Sequence, residues 1–210
     1  MNQSSFFTLY EYRISPFCIA VRIALDECNA SFISRSVNLD KIKTIAFLKK
    51  STFGKLPVLV EHHPSEEIII SESKSILIFI SERFPKSTLG FATLQFKIQC
   101  ISWLNFIYAN FIEQIWNILS KLYISSISSV EEKKLKLSFS ELQYQMTILN
   151  KHLSKRAYLA GDYSIADIIV TPFLDLLNRI PLINLSSFIH IESWKKRIQS
   201  RSSYKNAWPL

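Results

Sequence analysis

The chain has 210 residues, 48% of them hydrophobic and 20% charged, which is ample material for a core and too little charge for a disordered segment. Its net charge of +8 is spread along the sequence, and the densest run, Lys195-Lys196-Arg197, reads as a solvated helix face, so nucleic-acid binding is set aside. No apolar run reaches the roughly 18 residues that span a bilayer, and the N-terminus lacks a secretory pattern. Three cysteines, Cys18, Cys28 and Cys100, at no metal-like spacing are expected to be reduced thiols of a soluble cytoplasmic protein.

In chain order, Phe6 to Tyr10 is a short apolar strand, and Ser15-Pro16 opens a helix to about Glu27. Serine supplies an N-cap oxygen, and proline at the first helical position has its φ already set. Phe32 to Val37 alternates as a half-buried strand does, completing a βαβ unit, and Lys41 to Lys50 has the spacing of a short helix. Pro57-Val58-Leu59-Val60 and Ile68-Ile69-Ile70, close on either side of His62-His63-Pro64, predict an antiparallel hairpin. A helix starting at Ser71-Glu72-Ser73 stops at Phe84-Pro85. The first ~85 residues therefore read βαβαββα, an α/β arrangement.

Beyond Pro85 strand signals cease. Leu94, Ile98, Ile101, Leu104, Tyr108, Ile112, Ile115, Leu119 and Leu122 predict one long helix from Phe91 to about Tyr123. Trp103, Ile107, Phe111 and Trp116 give it a second apolar face. Ser125 to Ser129 is a loop, and Leu135, Phe139, Leu142, Met146, Leu149 and Leu153 form the next stripe. Ser164-Ile165-Ala166-Asp167 is a capping box before an apolar run, and a last helix covers Ile191 to Ser200 with Trp194 and Ile198 inward. The second half is thus an all-α helical bundle.

The helix start at Ser15-Pro16 turns unpaired N–H groups and a positive dipole end outward, which favours an anion or a thiolate. Ser15 is equally explained as a cap, and Cys18 as a buried inert thiol. His62 and His63 lack further ligands at a metal-binding spacing, and no phosphate or dinucleotide glycine pattern is present.

Ser15-Pro16-Phe17, Lys55-Leu56-Pro57, Glu72-Ser73 and the Ser164 box, in this order and spacing, resemble the cytosolic glutathione transferases over nearly the whole chain. Val21-Arg22-Ile23-Ala24-Leu25 and Leu159-Ala160-Gly161-Asp162 are similar to phrases of the same family. The resemblance implies a thioredoxin-like glutathione-binding domain over 1–85 and an all-helical domain over 91–210 that contributes the second-substrate pocket. It further implies a cis Pro57, Leu56 pairing with the cysteinyl unit of glutathione, and Glu72 and Ser73 holding the γ-glutamyl group. Lys55 and Lys41 would meet the glycine carboxylate.

Ser15 lies where the serine-type classes, including the tau-like Ser-Pro-Phe pattern, keep the hydroxyl that donates to the thiolate; Tyr10, Tyr12 and Cys18 are the competing residues. Tyr108, Phe111 and Trp116 are candidates for the wall facing a hydrophobic electrophile, with bundle core as their other reading. The implied function is conjugation of glutathione, as co-substrate and without a metal, by a homodimer. Two alternatives stay open: a non-catalytic binding or regulatory protein resembling stringent starvation protein A, and a glutathione-dependent thiol reductase acting through Cys18.

Overall fold

The computed structural model of the chain describes residues 6–122, 129–178 and 185–208. Strand β1 (Phe6–Glu11) is central because Phe7 and Leu9 have no exposed surface and its neighbours cover both edges. Helix α1 (Pro16–Glu27) carries it over to β2 (Ser31–Ser36), which pairs parallel with β1; a parallel pair needs such a crossover. β3 (Val58–His62) runs antiparallel to β1 on its other edge, and β4 (Glu67–Ser71) antiparallel to β3, giving the sheet order β2-β1-β3-β4. Val58, Leu59 and Val60 are all buried, as expected of an inner strand covered on both faces.

The expected βαβαββα order is found, with differences in extent. β2 is a largely exposed edge strand, not a half-buried one, with Ile33 43% exposed. The helix expected over 41–50 is reduced to α2 (Ile45–Leu48), capped by Thr44, because Phe47 alone in it finds a buried site. Helix α3 (Ser73–Arg83) ends before Phe84-Pro85, where proline ends it.

The chain divides into two compact units, one of Met1–Leu94 with Gln199–Leu210 and one of Gln95–Ile198. In the first, α1 packs against α3 and against α9 (Ser202–Ala207), a short helix that the sequence reading did not foresee. Glu27, at the end of α1, accepts two bonds from Arg201, Nε at 2.6 Å and Nη2 at 2.7 Å, and one each from Ser203 and Thr88. Burial pushes the Glu27 carboxyl up, but the bonds from Arg201 and Ser203 outweigh it and hold the group below its ordinary 4.5. A depressed carboxylate stabilises the fold above its unfolded value and loses that contribution as pH falls through the folded one. Arg201→Ala should therefore cost about 2 kcal/mol at neutral pH and flatten the loss of stability below pH 4.5, read by urea unfolding at several pH values.

In the second unit the single helix expected from Phe91 to Tyr123 is three segments: α4 (Leu94–Phe106), a π-helical turn (Ile107–Phe111) and α5 (Ile112–Leu122). The wide turn shifts the register of the stripe. Leu94 and Ile98, on the predicted stripe, are 73% and 56% exposed, while Ile107 and Phe111 of the second apolar face are wholly buried. The expected helix end at Tyr123 and most of the expected loop, 125–128, lie outside the described residues; Ser129 opens α6 (Ser129–Leu153), whose Leu142, Met146, Leu149 and Leu153 are buried as the stripe predicts. Helix α7 (Ile165–Leu177) is almost entirely buried, and α8 (Ile189–Gln199) turns Trp194 and Ile198 inward.

Candidate functional site

The sheet register brings the sequence-predicted residues of the first unit to one end. Arg35, Tyr10, Val58 and Ser71 form a row across β2, β1, β3 and β4. Just past that row, β1 leads to Ser15, β2 leads toward Lys41, Pro57 enters β3, and β4 leaves into Glu72 and Ser73. Residues far apart in sequence thus sit around the same sheet end.

Ser15 closes the turn after β1, its N–H donating to the Tyr12 carbonyl at 2.9 Å and its carbonyl accepting from Ile19 at 2.9 Å. It occupies the N-cap position, with Pro16 next, yet its hydroxyl makes no cap bond. The Ser15 hydroxyl lies beside the Cys18 thiol and acts to lower its pKa. No acidic residue lies in the first turn of α1 to offset its positive end.

Burial drives the Cys18 thiol up to about 11, against the lowering effect of bonds from Tyr12 and Ser15, and Cys18 has no exposed surface. Cys28 and Cys100 are also pushed to about 11 by burial. At neutral pH all three are protonated and inert. Native protein should accordingly take up no iodoacetamide within an hour, by mass spectrometry, whereas urea-unfolded chain takes up three equivalents.

The Leu56–Pro57 peptide is cis. The segment before it is held by Ser51, wholly buried, whose hydroxyl accepts from the Lys55 N–H at 3.1 Å and donates to the Lys55 carbonyl at 2.9 Å. Glu72 has φ +65°, a region uncommon for a residue with a side chain. It is the N-cap of α3 without a side-chain cap bond, and its Oε1 lies 3.8 Å from Lys55 Nζ. Ser73, first in the helix, is buried. Lys41 is exposed, with Asp40 3.8 Å away.

Tyr10 is placed differently from the site serine: its ring meets Phe47 edge-on at 6.4 Å, with Lys50 Nζ 5.3 Å from its centre, in a cluster with Val58 and Val60. His62 contacts Thr8 at 2.8 Å and Glu67 at 3.0 Å, and His63 contacts Glu61 at 3.2 Å. No group of three metal-ligating side chains occurs among the described residues.

In the helical unit Phe111 is wholly buried, Tyr108 half-buried and Trp116 58% exposed. Ser164 and Asp167 form the reciprocal capping box. Buried Asp167 also accepts from the Leu159 N–H and from Trp194 Nε1, both at 2.9 Å.

The sequence reading missed Ser51 and the buried pair Glu11–Arg22. Ser51 left no signal; an acid closing an apolar strand and an arginine inside an apolar helix run were visible but unpaired on paper.

Two family models match, one described as the N-terminal domain of glutathione S-transferase over residues 9–88 and one as its C-terminal domain over residues 111–202. Glutathione S-transferase F9 of Arabidopsis thaliana is 28% identical, with 87% of this chain and 87% of that protein aligned. Glutathione S-transferase 1 of Dianthus caryophyllus is 30% identical, with 78% and 74% aligned. Among solved structures, Ure2p in complex with glutathione has a TM-score of 0.88 at 19% identity over 99% of this chain and 100% of that one, a likeness of fold. The order of elements, the residues gathered at one sheet end and the matches on both halves agree: the chain belongs to the glutathione S-transferase family.

Proposed function

We propose that the chain is a glutathione transferase that binds glutathione at the sheet end carrying Ser15, Pro57, Glu72 and Ser73. The convergence of these residues past the Tyr10–Val58–Ser71 row is the observation that carries the reading. The γ-glutamyl carboxylate is assigned to the N-terminus of α3 at Ser73 and its ammonium group to Glu72, whose left-handed backbone is a conformation that concentrates at ligand sites. Leu56 pairs with the cysteinyl unit, and Lys55 and Lys41 take the glycine carboxylate.

The Ser15 hydroxyl, not spent on capping, donates to the glutathione sulfur and stabilises the thiolate. The thiolate attacks an electrophilic carbon; a C–S bond forms as the leaving group departs with its electron pair. The hydrophobic electrophile is assigned to the helical domain, over 91–210, through Tyr108 and Trp116, which keep exposed surface; Phe111, wholly buried, belongs to the bundle core. A homodimer is supported by β4, an edge strand whose Ile68 and Ile69 are 39% and 41% exposed.

Titration calorimetry with glutathione, paired with a conjugation assay on chlorodinitrobenzene, tests the reading. Binding with turnover is expected. Binding without turnover against a panel of electrophiles would make the chain a glutathione-binding module, and no heat at millimolar glutathione would sink the assignment. The buried, protonated Cys18 speaks against a thiol reductase, since only a thiolate exchanges.

A further inference from the structure

Glu11 closes β1 with no exposed surface, and Arg22 in α1 is 8% exposed. They form a buried ion pair, Arg22 Nη1 with Glu11 Oε2, while Ser34 of β2 donates to Glu11 Oε1. The other two guanidinium nitrogens also donate: Nη2 to the Arg13 carbonyl at 2.6 Å, and Nε to the Ala207 carbonyl of α9 at 2.8 Å. One side chain therefore ties the end of β1, the turn after it and the end of α9. A buried ion pair is poor value as a stabiliser, because desolvation consumes most of the attraction, whereas the planar fork of arginine fixes directions.

The carbonyl it holds belongs to Arg13, two residues before Ser15, in the turn closed by the bond from the Ser15 N–H to Tyr12. We infer that Arg22 is a positioning residue for the thiol site: clamped by Glu11 and the Ala207 carbonyl, it holds the Tyr12–Ser15 turn and so aims the Ser15 hydroxyl. The inference rests on the reading of Ser15 as the donor to the glutathione sulfur. Lysine at this position keeps a charge opposite Glu11 but cannot reproduce the fork.

The test compares R22K with the milder S34A, which loosens Glu11 from β2 without stranding a charge. The thiolate absorbance of bound glutathione is followed against pH, and hydrogen exchange is read at the Ser15 amide. R22K is expected to bind glutathione within about threefold of the parent, yet to raise the bound thiol pKa by about one unit, so that the thiolate absorbance curve moves up by about one pH unit. Its Ser15 amide should exchange about tenfold faster. S34A should move both in the same direction by about threefold.

Ser203→Ala, which trims the α9 contact with Glu27, is the control; it lowers stability and should leave both readings unchanged. A shift in S203A equal to that in R22K would make Arg22 merely structural and overturn the inference. Unchanged exchange at Ser15 in both R22K and S34A would overturn the clamp whatever Ser15 does. An unchanged thiol pKa in Ser15→Ala, with exchange still faster in R22K, would leave the clamp standing on the turn while removing its link to the thiol.

Discussion

Asp167→Ala is expected to cost about 4 kcal/mol, a large share of the roughly 5–15 kcal/mol that a domain has. The carboxylate is wholly buried and accepts four bonds: from the N–H of Leu159 at 2.9 Å, the N–H of Ser164 at 3.0 Å, the Ser164 hydroxyl at 2.9 Å and Trp194 Nε1 at 2.9 Å. These donors come from the segment before α7, its N-cap, and α8, so one side chain ties three parts of the helical unit. Removing it leaves the donors buried without an acceptor, which costs far more than the net worth of a hydrogen bond. Trp194→Phe removes one donor only and should cost about 1–2 kcal/mol.

Urea unfolding of the two variants measures the gradation; equal losses, or less than about 1 kcal/mol for Asp167→Ala, would show that the network does not hold the unit. Burial pushes the Asp167 carboxyl up to about 6 in spite of its donors. A raised carboxyl binds its proton more tightly in the fold than in the unfolded chain. This group alone therefore makes the fold more stable as pH falls from about 6 toward its ordinary 3.8, opposite in sign to Glu27. Asp167→Asn should remove that upward component from the pH profile of stability.

Ser15→Ala should lower kcat/KM for conjugation by about a hundredfold, or about 2.7 kcal/mol of lost transition-state stabilisation. The physical case is narrow and testable. A free thiol near 8.5 is mostly protonated at neutral pH, and on the proposed reading the Ser15 hydroxyl and the helix dipole act together on the sulfur. The hydroxyl makes no cap bond, so its loss should leave α1 and the melting temperature nearly unchanged, while affinity for glutathione shifts by less than about threefold. An unchanged rate with a lower melting temperature would reduce Ser15 to a helix-starting residue. Cys18→Ala is the companion variant, because the Ser15 hydroxyl lies beside that thiol; retained activity in it confirms that the thiol is not the nucleophile.

Much of the fold was legible because its signals are local. Pro16, with its φ preset, and the Ser164 to Asp167 box start helices through local groups, and both starts are where the sequence placed them, although the expected Ser15 cap bond is not made. The short apolar runs close on either side of His62-His63-Pro64 likewise predicted the β3–β4 hairpin, which closes with the His63 N–H donating to the Glu66 carbonyl. The π-helical turn was not legible: inserting a wide turn leaves no local mark, and a 3.6-residue stripe drawn through it as one helix put Leu94 and Ile98 on one face with Leu104 and Ile115, whereas they are exposed and those two are buried.

The amino-acid sequence by itself determined the order of elements and the helix starts, because periodicity, capping and proline act within a few residues, and its resemblance to a family named the segments of the proposed glutathione site. The tertiary structure alone decided which end of the sheet those segments share, that α9 closes back on α1, and that Glu11, Arg22 and the Ala207 carbonyl meet. Arg22 and Ala207 are 185 residues apart, and a bond between them is set by how the chain packs, with no pattern along the sequence to announce it.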